Sequence, residues 1–432
     1  LSSSRTFFTT EANRSKTHRR GIVSGITNAI HWNSYNPANA PRRHWSRSMC
    51  KATKSMPNSD APLLRGLTFI ELAGVLAGPS VGQFFAELGC EVVKVENPRI
   101  GGDVTRNWRL RDAKDTEPSS YFQSCNLGKS SLSIDLRDDD DRKVLLGLIQ
   151  SADIVSCSYK PGDAEKLGVD FPTLSSLNPK LIYAEITGYG KDDHRPGYDA
   201  CIQAEAGFTY MNGEPEGPPI KMPVALVDVL AAHHLKEAVL LALLEREKTG
   251  RGKHVSVSLL RAAAISTANQ AAGWLHAGAI PERIGSSHPA ICPYGTVFLD
   301  KNDKPFVLAV GTDAQFKSLC DIVDLDVVFE DFVTNPQRVE RRNELIAALR
   351  KSFARADRDQ LLLSFAEKAI PAGAVKDMKE VFEHPEVQKC LIRGKYVSQI
   401  GWDEPRRVRE EDIMDPPSRV GQDDIRLKKD VS

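Results

Sequence analysis

From Leu64 onward the chain alternates short β-branched runs with helical stretches, and this alternation limits the fold more than any other feature. "LTFIEL" (67–72), "EVVKVE" (91–96), "SLSIDL" (131–136), "DIVSCS" (153–158) and "LIYAEI" (181–186) have the length and composition of strands. Between the first two, "PSVGQFFAELG" puts Pro at a helix start and Gly at its end. "DDDDRKVLLGLIQSA" brings acids to the positive end of another helix. Consecutive strand–helix units predict an α/β fold, a Rossmann-like doubly wound parallel sheet with helices on both faces. "EPEGPPIKMP" is a loop by composition, and the long apolar helix after it stops at "KTGRGK". The large domain is assigned to 61–260, completed by the polar segment from about 385 to 432. A linker helix over 261–284 leads to a smaller α+β domain, 285–384, with "KPFVLAVG" as a strand. Its helices are "DAQFKSLCDIV", "RRNELIAALRKSF" and "DQLLLSFAEKA".

Of the 432 residues 41% are apolar, enough for sizeable cores, and 57 basic residues cancel 57 acidic ones. No global field therefore points to nucleic acid or a membrane surface as partner, and no run of about 18 apolar residues points to a span. Eight cysteines occur without close pairing, which argues against a zinc knuckle or a disulfide framework and suits a reducing compartment. Residues 1–60 differ from the rest: ten Lys or Arg and ten Ser stand against Glu11 and Asp60. That is the composition of an organelle transit peptide or a disordered basic tail, and a mature start near residue 60 is expected.

Several motifs fail on inspection. "NLGKSS" has Gln123 where a phosphate loop needs glycine, and neither "TGYG" nor "ELAGVLAGPS" completes a dinucleotide fingerprint. His233, His234 and Glu237 lack the order and spacing of a zinc helix, so no metal is expected. Asp228 survives. It lies between an apolar run and the long helix, with no Lys or Arg within seven positions except Lys221. As a helix N-cap it would contribute roughly 0.5–2 kcal/mol over Ala. A carboxylate fixed in a low-dielectric cleft is also available as a nucleophile. Asp199, before a second apolar helix, is open to the same two readings, and Tyr198 beside it to core or hydrogen-bonding roles.

Six segments in series, "PLLRGLTFIELAGVLAGPSVGQFFAELGCEVVKVENP", "NLGKSSLSIDL", "YKPGDAEKLGV", "ITGYG", "RPGYDACIQAEAGF" and "ALLEREKTGRGKHVSVSLL", resemble the class III CoA-transferases of the CaiB/BaiF type over about residues 62–422. The resemblance implies an interlocked, ring-like homodimer acting on coenzyme A and acyl-CoA as substrates, with no tightly bound cofactor. It implies Asp228 as the nucleophile. It carries over CoA contacts at Val75, Leu76 and Ala77, at Asn97, at Ile134 and Arg137, at Ser158, Tyr159 and Lys166, and at Tyr198 with Asp199. Ser158 stands where the family commonly has Asn, and Asn97 where an Arg can reach the nucleotide. "GSSHPAICPYGTVFL" and "GAVKDMKEVFEHPEV" resemble the mitochondrial members acting on succinyl-CoA and dicarboxylic acids such as glutarate, hydroxymethylglutarate or itaconate. A matrix location is expected on that ground, with the cytoplasm as alternative. Arg106 is the candidate for the acceptor's distal carboxylate, since a guanidinium suits bidentate recognition. The related α-methylacyl-CoA racemases carry His where this chain has Tyr198, a poor base at neutral pH. Racemase and non-catalytic CoA-binding protein remain as the alternatives.

Overall fold

The computed structural model describes residues 61–111, 118–323, 325 and 329–429, so the transit-peptide assignment lies outside the described residues. Strands β1 (Thr68–Glu71), β2 (Glu91–Glu96), β3 (Lys129–Ser133), β4 (Ile154–Cys157), β5 (Ile182–Thr187) and β6 (Lys253–Ser258) form one sheet in the order β3-β2-β1-β4-β5-β6. Every neighbouring pair is parallel. This is a doubly wound sheet whose strand order reverses between β1 and β4.

Helices α1 (Ala77–Glu87), α2 (Ser120–Gln123), α3 (Asp139–Ile149), α4 (Asp163–Leu167), α5 (Phe171–Leu177), α6 (Asp199–Glu205), α7 (Phe208–Met211), α8 (Leu226–Thr249), α9 (Leu259–Ser266) and α10 (Ala268–Ala277) accompany it. Side chains alternate along each strand, so successive residues serve opposite faces. Phe69, Val92, Ile154 and Ile182 pack with α1, α8 and α9. Ile70, Val93, Val155 and Tyr183 pack with α3, α4 and α5. Helices cover both faces of a parallel sheet, which is why its strands read as nearly continuous apolar runs.

Two strand expectations change. β3 begins at Lys129, two residues before the apolar run, because the Lys129 ammonium is neutralised inside the protein by Glu71. β6 was not anticipated: it is an edge strand whose Lys253 and His254 are exposed, so no apolar run marks it. The opposite edge, β3, is covered by the C-terminal segment. Its Ser131 and Ser133 amides donate to Asp423 Oδ2 (2.9 Å) and Asp424 Oδ1 (2.8 Å).

A second, antiparallel sheet contains β7 (Tyr294–Leu299), β8 (Pro305–Ala309) and β9 (Ala372–Ala374), of which only β8 was anticipated. With α11 (Asp313–Cys320), α12 (Asn335–Glu340), α13 (Arg342–Phe353) and α14 (Arg358–Glu367) it encloses its own core, built around Phe298, Phe306, Phe353 and Phe365. The helix expected over 261–284 is divided: α9 already starts at Leu259, and α10 ends at left-handed Gly278. Among the described residues no helix is long and apolar enough to cross a membrane.

Candidate active site

Ligands of open α/β sheets bind beyond the carboxyl ends of the strands where the order reverses. Two joined cavities, of about 440 and 320 Å³, occupy that place, within the size range of small-molecule sites. They share Gly74, Val75, Tyr159 and Tyr198. The larger lies over the ends of β1, β2 and β3 and is lined by Asn97, Ile134 and Arg137. The smaller lies over β1, β4 and β5 and is lined by Leu76, Ala77, Ser158, Asp199 and Asp228. Of the CoA-contact residues carried over from the resemblance, only Lys166 lines neither: it is exposed on α4 and paired with Asp163 at 2.8 Å.

Arg106 also lies elsewhere. Its guanidinium is buried, donates to both Glu96 oxygens (2.8 and 2.7 Å) and to Pro417 O (2.9 Å), and stacks on Phe122. Its Nε/Nη2 edge is thus taken bidentately by Glu96, and the residue lines neither cavity, so it is not placed to hold a substrate carboxylate. Lys160 and Arg195 are the cationic side chains at the smaller cavity. Arg195 is held by Asp193 and Glu205 over the Tyr189 ring. Lys160 sits inside the "YKPG" segment, a signal the sequence did offer.

Neither capping assignment holds in its simple form. The N-cap of α8 is Ala225 and that of α6 is Tyr198, both without a side-chain cap bond. Asp228 is the third residue of α8, and Asp199 the first of α6. The cap of α8 comes from the neighbouring helix: Asp199 Oδ1 accepts the Val227 amide at 2.9 Å. Buried Gln203 donates to Asp199 Oδ2 (2.7 Å) and to Val224 O (3.2 Å), and accepts from the Met222 amide (2.9 Å). One amide side chain thus fixes both the capping carboxylate and the strand of chain entering α8.

Asp228 is only 9% exposed. Burial, and then the charge of Asp199, push its carboxyl from 3.8 up to about 7. Tyr121, not anticipated, faces the same charge: burial and then Asp228 raise its hydroxyl to about 12, so it keeps its proton. The starts of α1, α6 and α8 all border the smaller cavity, and their positive ends favour anions there. Asp199→Asn keeps an acceptor oxygen for Val227 but removes the charge. The Asp228 ionisation midpoint, followed by carboxyl-carbon NMR, should therefore fall below about 7.

Two glycines set the loop that carries Tyr198 and Asp199. A Cβ on Gly197 would lie 2.2 Å from Gly188 Cα, and one on Gly188 would lie 2.5 Å from Gly197 Cα. The two backbones cross in contact, which fits "ITGYG" and "RPGYD" both needing their glycine.

Below the larger cavity is a buried ion cluster. Lys129 Nζ lies 2.9 Å from both Glu71 oxygens, and Lys94 Nζ lies 3.1 Å from Glu71 and 2.9 Å from Asp103. Burial disfavours the Lys94 charge, but Glu71, Asp103 and Glu96 together hold its ammonium above the ordinary range.

CoA-transferase family III matches residues 64–392. The chain is 36% identical to a succinate–glutarate CoA-transferase of Agrobacterium fabrum over 347 residues, 78% of this chain and 86% of that one. It is 31% identical to the human succinyl-CoA:glutarate CoA-transferase over 389 residues, 85% of this chain and 86% of that one. A crystal structure of a CaiB/BaiF family protein from Brucella suis superposes with a TM-score of 0.76 at 32% identity, covering 86% of this chain and all of that one.

Proposed function

The chain belongs to CoA-transferase family III and is an enzyme of that class, and from that premise we propose that it moves CoA from succinyl-CoA to a dicarboxylic acid such as glutarate, hydroxymethylglutarate or itaconate, with Asp228 as nucleophile. The observation carrying this reading is a buried, near-neutral carboxylate at the inner end of a two-chamber groove at the sheet's reversal point.

In this reading the nucleotide of CoA occupies the larger cavity, near Asn97, Ile134 and exposed Arg137. Its pantetheine arm crosses Val75 between Tyr159 and Tyr198. The thioester then reaches Asp228. An Asp228 oxygen attacks the thioester carbon, and collapse of the tetrahedral species expels CoA thiolate and leaves a mixed anhydride. The thiolate attacks the aspartyl carbonyl, releasing the donor acid and leaving Asp228 as a CoA thioester. The acceptor carboxylate attacks that thioester, giving a second anhydride and thiolate. Attack of the thiolate on the acceptor's acyl carbon forms the new acyl-CoA and returns free Asp228. Thioester is exchanged for thioester, so no ATP is consumed. The α1 amides, which meet no side-chain cap, are suited to the tetrahedral oxyanions; such donors contribute roughly 3–4 kcal/mol each elsewhere.

Ser158, in place of Asn, accepts the Gly74 amide (3.4 Å) and ties the β4 loop to the Val75 turn. Asn97 spends its acceptor on the Arg99 amide (3.0 Å), leaving its amide nitrogen for the nucleotide end. Transfer is favoured over racemisation because no histidine is among the described residues lining either cavity.

The homodimer belongs to the same proposal. Helix α8 and the segment after it expose Leu241, Leu244, Ile265, Trp274, Leu275 and Ile280, each more than half accessible. Exposed apolar side chains in that number support an interface between copies of the chain. The matrix location rests on the composition of residues 1–60 and on the resemblance.

Incubation with succinyl-CoA alone is expected to leave a CoA adduct on Asp228, detected by peptide mass spectrometry, and a panel of acceptor acids should discharge it at different rates. Solvent deuterium entering the α-carbon of a branched acyl-CoA, with no adduct, would favour the racemase instead.

A further inference from the structure

Val75 is one of the four residues shared by both chambers, and its backbone φ is +71°. A β-branched residue in the left-handed region is a steric outlier, and such a conformation persists only where the surroundings impose it. Glycine would occupy the same turn without strain.

The surroundings here do impose it. The Val75 amide donates to Asp103 Oδ2 at 3.1 Å. Its carbonyl accepts from the Cys125 thiol at 3.6 Å. Asp103 is itself immobilised: Lys94 Nζ lies 2.9 Å from Oδ2, while the Thr105 amide and hydroxyl donate to Oδ1 at 3.0 and 2.7 Å. Burial opposes ionisation of Asp103, but Lys94 and the Thr105 donors hold its carboxyl below the usual carboxylate range. The clamp is therefore a permanent anion anchored on a buried cation.

A left-handed residue immediately before the N-cap of α1, Leu76, decides where the next amides point. Leu76 and Ala77 follow Val75 at the uncapped start of the helix and line the chamber that holds Asp228. Released from its clamp, Val75 would relax towards negative φ and swing those amides away.

We infer that Asp103, seated on Lys94, is a positioning residue for CoA transfer: it holds Val75 in the left-handed conformation that aims the start of α1 at the acyl carbonyl beside Asp228. This rests on the transferase reading above. Asp103 borders the larger, nucleotide chamber and not the one that holds Asp228, so in this scheme it reaches the reacting atoms only through Val75.

The test compares wild type, Asp103→Glu, Val75→Gly and the double variant, in the full-length protein. Asp103→Glu keeps an anion for Lys94 but displaces it from the Val75 amide. The rate of aspartyl-CoA formation from succinyl-CoA is read by rapid quench and mass spectrometry, alongside melting temperature and CoA affinity. Asp103→Glu is expected to slow adduct formation roughly ten- to a hundredfold, with melting temperature and CoA affinity little changed. Glycine adopts the left-handed conformation unaided, so Val75→Gly should bring the double variant to within about threefold of Val75→Gly alone.

An unchanged rate in Asp103→Glu, or a loss that Val75→Gly does not relieve, overturns the inference while leaving a wild-type adduct, and hence the transferase reading, intact. A wild type that formed no adduct would remove the transferase reading, and this inference with it. If Asp103→Glu does not fold, Cys125→Ala takes its place, because it deletes the other bond to Val75 without altering a buried charge. A severalfold slowing relieved by Val75→Gly supports the clamp, and an unchanged rate overturns it.

Discussion

Asp228→Asn is expected to abolish CoA transfer, by about 10⁴-fold or more in kcat, and at the same time to raise stability. The first effect follows because an amide cannot form the anhydride. The second follows from the carboxyl's ionisation. Its folded pKa of about 7 lies above the ordinary 3.8, so the folded state holds this proton more tightly than the unfolded chain. Well below pH 3.8 both states are protonated and the group costs nothing. As pH rises from 4 to 7 the unfolded chain ionises first, and the wild type loses stability. Above about pH 8 both states are ionised and the full penalty applies, on the order of 2–4 kcal/mol from the size of the shift. Asn carries no such penalty. The variant should therefore unfold at the same urea concentration as wild type well below pH 3.8 and at a higher one at pH 8. A destabilised variant at pH 8 would show that burial of the charged Asp228 carboxylate is not the strained feature claimed for it.

Glu71→Gln should be the most damaging single change in the large sheet. Lys94, Lys129 and Glu71 are each at most 1% exposed, and Glu71 is the carboxylate against both ammonium groups. Lys94 would keep Asp103, but Lys129 would keep only neutral acceptors: Pro79 O (2.8 Å), Asn126 Oδ1 (2.9 Å) and the amide oxygen of the new side chain. Removing one partner of a buried pair leaves an uncompensated charge, at a cost of about 3–5 kcal/mol. Chemical denaturation, or the soluble yield if the variant does not fold, reads that loss. Adding Lys129→Met, which removes the orphaned charge, should recover a substantial part of it. Gly82 belongs to the same cluster, since a Cβ there would lie 2.0 Å from Glu71 Oε2.

That cluster marks where sequence reading reaches its limit. Local patterns were sufficient for β2, whose span 91–96 matches, and for the parallel architecture, because burial on both faces writes itself into apolar runs. They were insufficient for Lys94 and Lys129, whose burial depends on Glu71, 23 and 58 positions away. A lysine reads as a surface residue unless its partner is known. Arg106 misled for the same reason: Glu96 and Pro417 occupy it, and one of them is 311 residues distant. Asp228 was legible as an anomalous acid at a helix start. Its real constraint was not, because the cap of α8 is supplied by Asp199 from another helix, 28 positions upstream of Val227.

The crossing of Gly188 and Gly197 also has an evolutionary reading. The chain departs from the crossing at 188 and returns to it at 197, so residues 189 to 196 form a loop closed at its neck. Length changes within that loop need not disturb the neck, and the cavity-facing pair Tyr198 and Asp199 begins just outside it. Acceptor preference could thus diverge among descendants of this scaffold by insertions there, while the carboxylate that holds α8 stays in register.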